Sequence, residues 1–363
     1  MSDAPAQPLA RPTATLRWQN AAATGVVIGA ACAFYAAAPW NKRQMREWHS
    51  LGEFLFSGHD FLVGSAAAYA AAVCAWLLLE PEPRRGKSLR ACAVVWKLLR
   101  EPRATLAAGL GTEDRVALLA TLLKAFFAPL MVMSLMAFCV SAWKNGHGLA
   151  EALTAGFGSH IAFNRWGFWF ALQVILFIDV AIFTIGYLVE SPRLRNEIRS
   201  VDPTLLGWAA AMACYPPFNT YTAQVLGSQT SDFPQFADPA VHVLLNGLLL
   251  ALMAVYAGAS VALGWKASNL THRGIVSRGP YAYVRHPAYT CKNMAWWIGA
   301  APLVGHAFER GLVSGLAALG SVAGWTLVYV LRALTEERHL RRVDSEYAAY
   351  AARVRWRFVP GVY

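Results

Sequence analysis

Charge is what this sequence has least of: Asp, Glu, Lys and Arg make up only 15% of its 363 residues, while 56% are hydrophobic. That balance excludes an ordinary soluble globular protein and points to a polytopic membrane chain. The six cysteines are scattered and none forms a Cys-x-x-Cys pair, so they read as small apolar residues rather than disulfide partners or zinc ligands. No Gly-x-Gly-x-x-Gly follows a strand, and there is no internal repeat, heptad or low-complexity domain beyond alanine richness. The polar, proline-containing first 20 residues do not look like a cleavable leader, which leaves the first span to insert the chain. Acid is scarcer than base, giving a net charge of +11. The cations sit in short loops beside apolar runs, where lipid headgroups explain them better than nucleic acid does.

The apolar runs are therefore the framework. About 20 apolar residues cross a bilayer, and on that rule about eight spans are expected. They lie near 21–39, 61–80, 116–142, 167–189, 205–215, 240–264, 292–304 and 311–333. The fold class is all-α, a transmembrane helical bundle. The fifth run is too short to cross alone and must extend through Tyr215-Pro-Pro-Phe218 or re-enter. The seventh, containing Gly299 and Pro302, is expected to form a tight hairpin with the eighth. Most Lys and Arg fall on one side of this map, which puts both termini and the segment after residue 264 in the cytoplasm. The basic stretch 81–115, with an apolar stripe of Cys92, Val94, Val95, Leu98 and Leu99, suits either an interfacial helix or a solvated basic loop.

Against that background, Arg273-Gly-Ile-Val-Ser-Arg-Gly-Pro-Tyr-Ala-Tyr-Val-Arg-His-Pro-Ala-Tyr289 stands out as polar and turn-rich. Gly279-Pro280 marks a turn, and Pro287 pushes His286 out of the helical region. Where the last apolar run stops comes Arg332-Ala-Leu-Thr-Glu336-Glu337, whose Arg332 and Glu336 share a helix face. Tyr347, Tyr350 and Pro360 follow. A pocket of His, Arg, aromatics and paired Glu at the membrane boundary suits a charged cofactor meeting a membrane-dissolved substrate. His286 alone has a plainer reading as the residue before a helix-starting proline, and Glu336 and Glu337 as a solvated helix turn.

Together these motifs resemble the signature of the isoprenylcysteine carboxyl methyltransferase and phospholipid methyltransferase group of integral membrane enzymes. The resemblance is confined to about residues 264–363 and leaves 1–263, about six spans, without a family. It implies S-adenosylmethionine as cofactor, with Arg273, Gly274, Ile275, Val276, Tyr281, His286, Pro287, Ala288, Tyr289 and Glu336 in its site. Arg332 is then the residue facing a lipophilic acceptor, and membrane lipids are the other partners. The sequence departs from that pattern at Arg273, where the family often has His, and at Lys266, where it often has Gln. Two rivals remain. One is an NADPH-dependent sterol or polyprenyl reductase, whose family also ends in a Tyr pair and Pro-x-x-Tyr like Pro360 to Tyr363. The other is a non-catalytic transporter or scaffold. Outside the resemblance, Asp179 lies mid-way along an apolar run, with Lys124 as its expected partner, and His242 and Asn246 share a face of the sixth span.

Overall fold

The computed structural model describes residues 10–227 and 230–362, so positions 228 and 229 of the loop after Tyr215, and Tyr363 of the closing motif, lie outside the described residues. The chain forms two compact units, Met1–Met133 and Ser134–Tyr363.

The first unit holds α1 (Ala10–Ala37), α2 (Lys42–Arg46), the β1 (Trp48–Leu51) and β2 (Phe54–Ser57) hairpin, α3 (Gly58–Leu79), α4 (Lys87–Arg100), α5 (Pro102–Ala108) and the first part of α6 (Thr112–Thr154). β1 and β2 are antiparallel, with Leu51 opposite Phe54. Ser57 caps α3 by accepting from the Asp60 amide while the Asp60 carboxylate accepts from the Ser57 amide. α1 lies against α3 and α4. Asn20 on α1 fixes the approach to α4, accepting from the Gly86 amide at 2.9 Å and donating to the Arg84 carbonyl at 2.7 Å. α4 makes the basic stretch helical, but its apolar stripe is divided: Val94 is buried while Val95 and Leu99 are exposed.

The second unit contains the remainder of α6, then α7 (Ser159–Ala162), α8 (Phe168–Leu188), α9 (Leu205–Met212), α10 (Phe218–Leu226), α11 (Pro239–Leu263), α12 (Pro287–Glu309), α13 (Leu312–Val343) and α14 (Glu346–Arg353). α11 packs against α8 and α12, and α12 against α13. The core between α8, α11 and α12 is built on Phe168, Leu172, Leu249, Met253 and Ala295.

Among the described residues, six helices are long and apolar enough to cross a membrane. α12 has the length, at 23 residues, but its polar side chains, Lys292 and Asn293 among them, keep it off that apolar set. It runs straight through Gly299 and Pro302, so the hairpin turn lies later than expected, at Arg310-Gly311. Gly311 takes φ 137°, the left-handed region that glycine adopts freely.

The fifth run is not a spanning helix. α9 has eight residues and stops before Pro216-Pro217, which offer no amide to continue it; α10 begins at Phe218. Its neighbours nevertheless lie at opposite ends of the bundle. Before it, β3 (Ser200–Val201) pairs with β4 (Thr271–His272), just beyond the C-terminal end of α11. After it, the chain enters α11 at Pro239, one 25-residue helix away. The described residues of the intervening chain therefore cover that length as two short helices and irregular backbone. Irregular backbone at such depth must find its hydrogen bonds within the protein. Trp325 Nε1 donates to the Gly227 carbonyl at 2.9 Å, the Ser231 amide to the Gly299 carbonyl at 3.1 Å, and Asn246 Nδ2 to the Pro234 carbonyl at 3.0 Å.

Candidate functional site

The cavity of the second unit opens where α11, α12 and α13 meet the strap 264–286. Its empty volume, mouth included, is about 1320 Å3. The segment 356–358 ties down the stretch that leads into α12. Arg285 and His286 donate their amides to the carbonyls of Trp356 and Arg357, each at 2.9 Å, and Thr290 Oγ1 donates to Phe358 at 3.2 Å. Pro287 then starts α12 where no amide donor is needed. Tyr350 on α14 donates to the Tyr281 carbonyl at 3.0 Å, holding the turn Gly279–Ala282 against α14. Burial pushes the Tyr350 phenol up to about 12 and the Tyr281 phenol higher still, with the Glu336 carboxylate adding to the rise at Tyr281.

The two acidic residues of the Glu-Glu pair separate by one position. Glu337 points inward and is almost fully buried. It accepts from Arg285 Nε at 2.9 Å and Arg357 Nε at 3.1 Å, and lies 3.2 Å from His286 Nε2. Glu336 faces the cavity, accepts from the Tyr289 hydroxyl, and lies 3.9 Å from His286 Nδ1. The His286 and Tyr289 rings stack, 5.6 Å apart and 4° from parallel.

Arg332 is 4% exposed. Its Nη2 donates to Asn269 Oδ1 at 2.9 Å, and its guanidinium lies 4.9 Å from the Tyr289 ring centre and 5.2 Å from that of Tyr329. Nε makes no hydrogen bond. Arg273 is similarly buried: Nη1 donates to the Asn196 carbonyl at 2.9 Å, while Nε and Nη2 have no partner. Burial lowers its affinity for the proton, and the Glu190 carboxylate opposes that. Gly274, at φ 96°, passes so close to Lys266 Nζ that a Cβ there would sit 3.0 Å from it.

Every residue of the expected set except Pro287 lines this one cavity, Arg332 included, although the two stretches are separated by most of α12 and α13. Sequence reasoning missed several lining residues. Tyr215 comes from the break between α9 and α10, Asn269 from a strap residue next to Leu270 at φ 60°, and Lys292, Tyr256 and Ser260 from helix interiors. His272, 2.7 Å from Asp344, was missed too. Burial lowers the His272 proton affinity, against the pull of Asp344.

Asp179 has partners other than the expected Lys124, which belongs to the first unit. Its carboxylate accepts from Tyr256 at 2.7 Å and from Ser260, and the cation acting on it is Lys292. Lys292 lies on α12, five residues after Pro287, and no sequence spacing connects it to α8. His242 and Asn246 serve packing, with His242 Nε2 3.1 Å from Asn164 Oδ1 and Asn246 Nδ2 donating to the His242 carbonyl at 2.9 Å.

The fold and cavity define an integral membrane protein whose cation-lined cavity is walled by tyrosines. Residues 241–342, which run from the start of α11 nearly to the end of α13, match the model of the isoprenylcysteine carboxyl methyltransferase (ICMT) family. The match covers this segment and not the remainder of the chain. No curated protein and no solved structure matches the chain.

Proposed function

We propose that the chain is a membrane methyltransferase that moves a methyl group from S-adenosylmethionine to a lipophilic acceptor. The observation that carries this reading is the set of buried cationic donors left without partners, Arg273 Nε and Nη2 and Arg332 Nε, in a cavity that also presents the Glu336 carboxylate. A buried donor without an acceptor costs about 1–3 kcal/mol, so its retention suits an anionic or hydroxyl-bearing ligand. A donor with both a carboxylate and an ammonium matches a cavity with both kinds of group.

Glu336, with His286 and Tyr289, would hold the donor's ammonium or ribose hydroxyls, and Arg273 with the backbone of Gly274, Ile275 and Val276 its carboxylate end. Tyr281, Pro287 and Ala288 would shape the wall. When bound, the cofactor supplies an electrophilic methyl on a sulfonium, a charge that aromatic faces favour. Arg332 orients the acceptor, and the buried walls exclude water during an in-line displacement. We read the broken fifth segment as a crossing that completes eight, with both termini and the cavity mouth on the cytoplasmic face. Membranes containing the protein, supplied with methyl-labelled S-adenosylmethionine, should yield a labelled lipid-soluble product; label remaining solely with the cofactor would count against this function.

A further inference from the structure

The inner wall of the cavity holds a group of ionisable side chains that binding a methyl donor does not use. Asp179 sits inside α8 with 4% exposure, where an isolated carboxylate is costly. Its two hydrogen-bond donors, Tyr256 and Ser260 on α11, both line the cavity, whereas Asp179 itself does not. The phenol of Tyr256 thus stands between the carboxylate and the cavity. From α12, Lys292 Nζ lies 5.5 Å from the Tyr256 ring centre and 5.7 Å from that of Tyr329. From α13, the Arg332 guanidinium lies 5.2 Å from the same Tyr329 ring. Tyr215, at the break after α9, also faces Tyr256, and Tyr281 on the strap feels the Asp179 charge. Two cations therefore flank one tyrosine-walled space, with a carboxylate behind one of its phenols.

An acceptor that is already an anion needs no base, and would leave the Tyr256 and Asp179 pair without a task. An alkyl alcohol ionises too reluctantly for a carboxylate to help. A phenol ionises near ~10, within reach of two neighbouring cations, and its ring suits walls of Tyr215, Tyr256 and Tyr329. We propose that Asp179, acting through Tyr256, takes the proton from a lipophilic phenol whose oxyanion is held by Lys292 and Arg332. This rests on the methyl-donor reading above. The phenol's proton passes to Tyr256 Oη as the Tyr256 proton passes to Asp179. The acceptor oxygen then forms the O–C bond to the donor's methyl while the S–C bond breaks onto sulfur, converting sulfonium to thioether. Asp179 ends protonated and, when product leaves, the proton returns through the Tyr256 hydroxyl to water entering the cavity.

The test uses the full-length protein in nanodiscs and a long-chain 2-alkyl-4-nitrophenol, whose phenolate absorbs visible light. Without any donor, the bound probe should ionise at lower pH than in empty nanodiscs, and Lys292→Met should return it towards the empty-disc value. With labelled S-adenosylmethionine, Tyr256→Phe and Asp179→Asn should slow transfer to the probe by about 100-fold at pH values where it enters as the phenol. Both should approach the wild-type rate where it enters as phenolate. Thermal unfolding and cofactor titration of each variant show that it is folded and loaded. A loss equal at all pH values would make the pair structural and overturn the relay. So would an unshifted probe ionisation, or methylation of dodecanoate or dodecanethiol in place of the nitrophenol. A wild-type protein that binds no S-adenosylmethionine overturns the methyl-donor reading and the relay with it, whereas the other failures, with cofactor bound, sink the relay alone.

Discussion

At the residue scale the site turns on two adjacent glutamates with different tasks. Glu337 pairs with both Arg285 and Arg357 in a setting nearly closed to water, whereas Glu336 keeps an oxygen towards the cavity. Removing one partner of a buried ion pair strands the other, at about 3–5 kcal/mol. Glu337→Gln should therefore lower the thermal unfolding temperature markedly in detergent, while Glu336→Gln should leave it near wild type. His272 gives a pH dependence. Its folded-state proton affinity lies below the ordinary imidazole value, so the folded protein binds fewer protons there than the unfolded chain. The stability it contributes is complete above about pH 6.5 and is lost as pH falls through and below that value. Unfolding temperatures followed from about pH 7.5 to about pH 5 should fall more steeply in wild type than in His272→Asn. Parallel curves would remove His272 from the account.

At the element scale the turns and helix ends were legible, and the depth contacts were not. Pro287 fixes the start of α12 and the four-residue spacing of Arg332 and Glu336 fixes their common face; the fuller set of expected residues came from the resemblance, and all but Pro287 line one cavity. Local rules could not tell Glu336 from Glu337. That distinction depends on Arg285 and on Arg357 near the C-terminus, brought in by tertiary packing. The partner of Asp179 was hidden for the same reason: Tyr256, Ser260 and Lys292 lie on other helices, and periodicity along α8 carries no trace of them. The sequence left the fifth run either extending through Pro216-Pro217 or re-entering, and it did not show the coil at 230–238. That coil depends on Gly299, where a Cβ would sit 2.3 Å from the Ser231 carbonyl oxygen and 2.7 Å from Thr230 Oγ1. Gly299→Ala should cost about 1–3 kcal/mol by overpacking and expose the 230–238 coil to limited proteolysis. An unchanged cleavage pattern would show that the coil is held elsewhere.

At the scale of the whole molecule, the orientation we propose from the sequence puts the segment after residue 264 and the basic stretch 81–115 in the cytoplasm. The excess of Lys and Arg in those segments is its basis. In sealed cells, an impermeant thiol reagent should reach a cysteine introduced at Ser314 but not at Ser88 or Ser277. Labelling at Ser88 or Ser277 would invert or split the topology.

The most direct measurement is a calorimetric titration of the purified protein with S-adenosylmethionine. The account predicts saturable binding at one site per chain. It also predicts binding weakened about 10- to 100-fold in Glu336→Gln, the equivalent of one charge-assisted hydrogen bond of roughly 1.5–3 kcal/mol, with Arg332→Lys within a few-fold of wild type. Unchanged affinity in Glu336→Gln would remove the central residue assignment. Heat from NADPH with none from S-adenosylmethionine would favour a reductase, and heat from neither would leave a protein that uses this fold without the cofactor, each contradicting the account.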